Sequence, residues 1–493
     1  MAEPSGYRRD IGFFSATMII SGSMIGSGIF IVSADIVRQV HTGPMLLLTW
    51  CITGALTLCA TLSYGELTGM MPKAGGMYVY LREIYGPMAG FLYGWACFLV
   101  IECGSIAAVA VGSGRYMGSF FPAVNDARWL MGPWHIKAWQ AMPGIALGPY
   151  EFGLTTARAV GIAVIFVIAL VNTYGVKLGA WTQNLFSVAK LGAMAALILS
   201  GLLLAPKILP VAGPYVPPMD IAPVTLLAAL VVAQAGSFFS CDGWHYIGNV
   251  GSEIRNPKRT LPLALLAGPT LVIGLYLLAN LAYLRLLGPT GIATATEDRV
   301  GAAALGAVFG PLGGSLMAGA IMVSMFGFVN GASFTTARVY QAMGEDGLFI
   351  GGAGKLNRFG VPAWALWLQT IWACILTLTG TFEQLVEYCT FAQLLAVVSV
   401  VAGVVVLRIK KPDLARPYRT WGYPAVPMIY LLGAGGILVF LLRFKPGFTW
   451  PGLVLVLLGV PVYFWRSHYK SESGQRPPDH PHIGQDKGSR VRK

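Results

Sequence analysis

Apolar residues run along most of this chain in stretches of about twenty or more, the length a helix needs to cross a hydrocarbon core of ~30 Å. They predict about twelve spans, at 11–36, 44–68, 88–118, 152–174, 183–205, 222–250, 264–288, 303–338, 363–381, 385–409, 423–442 and 448–466. Several exceed a single crossing, which fits tilt or interruption. Two are interrupted by their own residues. In the first, Ser21-Gly22-Ser23-Met24-Ile25-Gly26-Ser27-Gly28 puts three glycines and three serines into eight positions. In the sixth, Ala235-Gly236-Ser237-Phe238-Phe239-Ser240-Cys241-Asp242-Gly243-Trp244 breaks the apolar run. Non-helical backbone is tolerated at membrane depth only where it is buried in protein or lines a cavity, so both breaks predict a solute site near the middle of the membrane. The other use of small residues, close helix packing, asks for spaced glycines and serines instead of an unbroken cluster.

Breaks in the first and sixth spans are the spacing expected of an inverted repeat of five helices, with two helices added at the end. The predicted fold class is therefore an all-α polytopic membrane protein of 12 transmembrane helices with discontinuous helices 1 and 6. The expected organisation is an N-terminal segment 1–10, a first repeat 11–205, a second 206–409, helices 11 and 12 in 410–466, and a disordered tail 467–493 carrying Pro477, Pro478 and Pro481.

Composition agrees: 55% of residues are hydrophobic, 11% charged, and the mean hydropathy is +0.65, where a soluble domain carries roughly 25% charged residues. A soluble catalytic domain has no room in this pattern, and no nucleophile, base and orienting group come together in the readable motifs. The net charge of +13 reflects topology. With both termini inside, sixteen Lys and Arg outside the tail fall on the cytoplasmic face against ten on the other, which predicts cytoplasmic termini and gives no reason to expect nucleic acid. The N-terminal pattern does not read as a cleaved signal peptide. The seven cysteines sit almost wholly inside spans and suggest no disulfide framework.

The breaks assign chemistry to backbone first. Unpaired N–H groups at Ser27, Gly28 and Ile29, where the second half of span 1 begins, suit a carboxylate, and the helix-end charge favours the anion. Carbonyls at the end of the first half, near Ile25 and Gly26, and around Phe239 and Ser240, suit an ammonium group. An anion site beside a cation site describes an α-amino acid. Lys190, inside span 5, costs on the order of 3 kcal/mol at a span centre unless it finds a partner, a water-filled cavity or an interface to snorkel to. Asp242 lies in the second break, where it caps the following half-helix or holds the unwound turn, and Glu102 lies in span 3, where it carries a proton or makes an interhelix bond. Glu66, at the inner end of span 2, pairs with a basic residue at an inner gate or forms a solvated pair of little worth. His245 has no clustered metal-binding partner in sequence, so no metal site and no cofactor are expected. The tryptophans at 129, 134, 139, 421, 450 and 465 fit interfacial belts better than an aromatic binding site.

Gly26-Ser27-Gly28-Ile29-Phe30, the segment Phe239 to Trp244 followed by Glu253-Ile254-Arg255-Asn256-Pro257-Lys258-Arg259, and Tyr340-Gln341-Ala342-Met343-Gly344-Glu345-Asp346-Gly347 together resemble the amino acid/polyamine/organocation (APC) transporter superfamily. Within it the pattern is most similar to the L-type amino acid transporter (LAT) family and its bacterial alanine/serine/cysteine and serine/threonine exchangers, over residues 10–466. The resemblance implies the LeuT-like fold and sodium-independent exchange of neutral L-amino acids, with a proton- or sodium-coupled uptake permease as the alternative. It implies substrate contacts at Ile25, Gly26, Ser27, Gly28, Ile29, Phe239, Ser240, Cys241 and Gly243, with Phe239 as external gate and Cys241 as a small pocket wall. It further implies gating or coupling roles for Lys190, Phe239, Asp242 and Glu102, and that Lys190 takes the place of a sodium ion beside span 1. Ser324, Asn330, Ser333, Thr335 and Thr336 of span 8 are then expected at helix contacts or along the inner pathway. Mammalian members carry an outer-loop cysteine for a glycoprotein partner, and Phe121 to Glu151 holds none. The expected partners are thus small neutral amino acids and membrane lipid, with no disulfide-linked heavy chain, in a monomer or weak homodimer of a prokaryotic inner (plasma) membrane.

Overall fold

The computed structural model describes residues 9, 11–137, 139–142, 145–147, 150–174, 176–204, 226–350, 352–379, 382–444 and 446–472. Among them lie nine helices long and apolar enough to cross a membrane, and a tenth crossing if the bent pair Phe13–Met24 (α1) and Gly28–Val40 (α2), inclined at 43°, counts as one span. These ten coincide with ten of the twelve expected segments. The other two, the sixth and ninth, are apolar helices of fewer than eighteen residues, Leu226–Ser240 (α9) and Ala363–Thr377 (α13). The architecture is a multi-spanning helical bundle.

In chain order, α2 is followed by Gly43–Met70 (α3), Gly76–Tyr85 (α4), Pro87–Ala96 (α5) and Glu102–Met117 (α6), with the π-helical turn Cys97–Ile101 joining the last two. Thr156–Thr173 (α7) and Val176–Leu203 (α8) come before α9. Tyr246–Asn249 (α10), Pro257–Ala293 (α11) and Val300–Glu345 (α12) follow it, and then α13, Phe382–Lys410 (α14), Ala425–Phe444 (α15), Pro446–Leu457 (α16) and Gly459–Glu472 (α17). Local chemistry sets several ends. His41 stops α2 in the left-handed region (φ 62°), and Thr42 caps α3, its hydroxyl accepting from the Met45 amide with a proline in the first turn. Thr155 caps α7 in the same way. The long α11 and α12 kink at Gly288 and Gly310, each followed by proline.

The segment between the third and fourth spans is not all loop. Trp129–Ile136 (β1) pairs antiparallel with Tyr150–Thr155 (β4), and Trp139–Met142 (β2) with Ile145–Leu147 (β3), adding two small hairpins to an otherwise helical chain. At the other end α17 runs to Glu472, past the expected start of a disordered tail at 467. The rest of that tail, most of 1–10, and the expected repeat boundary at 205/206 lie outside the described residues.

Packing centres on the first break. α1 lies against α8, α11 and α12, while α2 lies against α9 and α11. Ile20, Ile25, Ile29, Phe30, Ile36 and Val37 are fully buried. A lipid-facing helix would leave one side open, so burial on all sides marks this pair as the inside of the bundle.

Candidate functional site

The helix stops at Met24 and restarts at Gly28, so Ile25, Gly26 and Ser27 form the turn. Ile25 is extended (ψ 91°) and still donates to the Ser21 carbonyl. Among the described residues the amides of Ser27, Gly28 and Ile29 have no hydrogen-bond acceptor, and the buried hydroxyls of Ser21, Ser23 and Ser27 have no partner. Buried donors rarely stay unpaired, and three successive amides at a helix start form a ready anion site.

The carbonyls of the same turn differ from expectation. The Ile25 carbonyl accepts from the Lys190 ammonium at 2.8 Å and from the Ser324 hydroxyl at 3.1 Å, which fills both lone pairs. Lys190 also donates to the Gly22 carbonyl at 2.5 Å. The side chain is fully buried, near the middle of α8, so it does not snorkel to an interface. The Tyr276 hydroxyl lies 2.8 Å from the Met24 carbonyl and 3.1 Å from that of Ser240. The Ile25 carbonyl, expected to receive an ammonium group, therefore already carries two protein donors, while the single Tyr276 hydrogen is shared between the Met24 and Ser240 carbonyls.

The second break begins at Ser240. Gly28 meets Ser240 so closely that a methyl group there would collide with both its side chain and its Cα, and Gly243 adopts φ +91° against the Ser23 carbonyl. Glycine at these two positions lets the two breaks touch. Phe239, Cys241 and Asp242, with Thr57, Ser105, Thr390, Gln393 and Tyr430 from neighbouring helices, line a small cavity. Phe239 and Asp242 are partly exposed, whereas Cys241 is buried.

Asp242 does not cap α10, which has no side-chain cap. Its Oδ1 lies 3.2 Å from His245 Nδ1 and accepts from the Gln393 amide at 3.2 Å. His245, read in sequence as lacking carboxylate partners, is the hub of this region. Its Nε2 lies 3.2 Å from Glu102 Oε1, and Glu102 Oε2 accepts from the Tyr246 hydroxyl at 2.5 Å. Glu102 thus pairs with residues of the second break, directly after the π-helical turn that redirects α6. The sequence signal for His245 was a histidine three positions after Asp242, visible only once Glu102 and Gln393 are brought in from α6 and α14.

Glu66 is buried and accepts from Arg408 Nε at 3.0 Å and Nη2 at 2.6 Å, and from the amide and hydroxyl of Thr420 at 2.8 Å each. The solvated-pair reading is excluded by that burial. Asp346 accepts from the Tyr78 hydroxyl at 2.5 Å and pairs with Arg82. Burial opposes the charge on Arg82, yet Asp346 and Tyr78 raise its pKa above the usual value. In span 8, Asn330 donates to Gln183 at 3.2 Å and Thr336 to Gln369 at 2.9 Å, both as helix contacts.

A buried break with free amides at the helix restart and a cavity beside the second break fits a membrane transport protein. The chain belongs to the amino acid permease family, whose model matches residues 11–462. It is 28% identical over 467 residues to the serine/threonine exchanger SteT of Bacillus subtilis, covering 94% of this chain and 98% of that protein. It is 30% identical to the human large neutral amino acids transporter small subunit 2 over 470 residues (93% and 80%) and 29% identical to the human b(0,+)-type amino acid transporter 1 over 474 (94% and 89%). It is a transmembrane amino acid transport protein of the APC superfamily, related to LAT and SteT-like exchangers and sharing their LeuT-like fold family.

Proposed function

We propose that this protein exchanges neutral L-amino acids across the plasma membrane without sodium, by alternating access. The observation that carries the reading is Lys190: its ammonium donates to the Gly22 and Ile25 carbonyls of the broken helix, with Ser324 on the same oxygen. A fixed cation there removes the need for a free one. Relatives whose names specify serine/threonine exchange and large neutral amino acid transport support the substrate class.

In this reading the substrate carboxylate is held by the amides and hydroxyl around Ser27, Gly28 and Ile29. The ammonium group turns to the Asp242 side chain and the second-break carbonyls, because both lone pairs of the Ile25 carbonyl are taken. Phe239 closes over the substrate and Cys241 leaves space for its side chain. Twelve spans in an inverted five-plus-five repeat, 11–205 and 206–409, followed by helices 11 and 12, put both termini in the cytoplasm. Spans 1, 2, 6 and 7 rock against a scaffold of 3, 4, 8 and 9, and no covalent heavy chain is needed.

Uptake of radiolabelled neutral amino acids into proteoliposomes, with and without unlabelled amino acid inside and without sodium, tests this. Strong uptake only in loaded vesicles is the expected result. Uptake into empty vesicles that requires an imposed sodium or proton gradient would replace exchange by coupled uptake.

A further inference from the structure

In the chain Glu102–His245–Asp242 the first two residues are buried, and the chain joins α6 to the second break. Both ring nitrogens of His245 face a carboxylate oxygen at 3.2 Å. A neutral imidazole has one N–H and one lone pair, so it can serve only one of them as donor. Gln393 changes this count. Its Nε2 lies 3.1 Å from His245 Nδ1 and 3.2 Å from Asp242 Oδ1, and Asp242, an acceptor, fixes which end of the amide faces it. Two hydrogen-bond patterns, one for each protonation state of the ring, therefore fit one set of positions. With a neutral ring, Nε2–H donates to Glu102 while Nδ1 accepts one Gln393 hydrogen and Asp242 the other. With a charged ring, Nδ1–H donates to Asp242 and Gln393 donates to Asp242 alone. The patterns differ by one proton.

The surroundings leave that proton free to come and go. Among the described residues neither carboxylate has a lysine or arginine partner. The ionisable groups facing Glu102 are Tyr93, Cys97, Cys103, Tyr246, Tyr340 and Cys389, and Tyr93, Cys241, Tyr246, Cys389 and Tyr430 face Asp242. The Tyr64 hydroxyl donates to the His245 carbonyl at 3.3 Å. All are phenols or thiols, which supply no fixed charge. Asp242 is 21% exposed and lines the cavity, so it is the point of exchange with the substrate site. The π-helical turn before Glu102 is a feature often found at functional sites.

We infer that His245 holds a dissociable proton which the substrate ammonium group displaces, and that this proton keeps the empty carrier from crossing. The inference rests on the exchange reading above. In the empty site the charged ring binds Glu102 by a bond between opposite charges, tying the second break to α6. When substrate arrives, its ammonium group neutralises Asp242 from the cavity side, the Nδ1–H bond breaks, and the proton leaves through Asp242 to water in the cavity. The remaining neutral bond from Nε2–H to Glu102 is roughly half as strong, so the loaded carrier is the form free to rearrange. A carrier held when empty and released when loaded is an exchanger.

Calorimetric titration of the purified carrier with L-serine or L-leucine, at one pH in phosphate and in Tris, counts the protons. The expected result is a heat that differs between the buffers by the ionisation of about one proton released per amino acid bound, and affinity that weakens on acidification by up to about tenfold per pH unit. Equal heats in the two buffers, or proton uptake, with binding intact would overturn the inference while leaving the exchange reading standing. In vesicles, His245→Gln should lower the stimulation of uptake by internal amino acid about tenfold, as the empty form begins to cross. An unchanged ratio would remove the clamp. Absence of binding together with absence of uptake into loaded vesicles would take down the exchange reading itself.

Discussion

The two breaks differ in what holds them. Around the first, the donors are Lys190 and two hydroxyls: Lys190 and Ser324 fill the Ile25 carbonyl, Lys190 also reaches Gly22 and Tyr276 reaches Met24, while the amides that follow stay open. Around the second, the partners are a histidine, two carboxylates and an amide that accept more than one proton arrangement. A rigid turn offering free N–H groups suits the carboxylate, which is common to all amino acids. An adjustable turn beside a cavity suits the events that vary within a transport cycle.

Four substitutions would break or sharpen that contrast. Lys190→Ala leaves two buried carbonyls of the first break without their charged donor, a loss of about 3 kcal/mol, so exchange per inserted carrier should fall roughly hundredfold. Counterflow equal to wild type at matched protein in the vesicles would show that the first break does not depend on its cation. Gly28→Ala drives a methyl group into Ser240 where the breaks touch, and overpacking of about 2 kcal/mol predicts a loss near thirtyfold. Phe239→Ala should slow exchange and raise the substrate KM about tenfold, since one aromatic wall of the cavity is removed; initial rates over a concentration series check it, and unchanged kinetics remove Phe239 from the gate. The smallest change is expected from Cys241→Ala. It enlarges the wall by about one atom, so competition between labelled L-alanine and L-leucine should shift by no more than about fivefold, toward the larger side chain.

The location of both breaks was legible because a Gly/Ser cluster inside an apolar run contradicts the helix that lipid requires. Lys190 was legible for a similar reason, as a charge where charge is expensive. Which carbonyls it occupies was not, since donor and acceptor stand 165 and 168 positions apart in sequence. That distance also explains the correction at Ile25: backbone termini look free until another helix fills them. Glu66 became a buried pair for the same cause, through Arg408 and Thr420. The hairpins escaped notice because β1 is exposed along nearly all its length, and periodicity needs a buried face to leave a signal.

Hydropathy, charge bias and the two clusters were enough by themselves to specify a multi-spanning carrier and where its helices give way, because those features act within one segment and are written in consecutive residues. The tertiary structure alone decided that the first turn is locked by a lysine from α8 and the second by a histidine between α6 and α14. Hydrogen bonds reach only about 3 Å, and which side chains come within that reach is a property of helix packing.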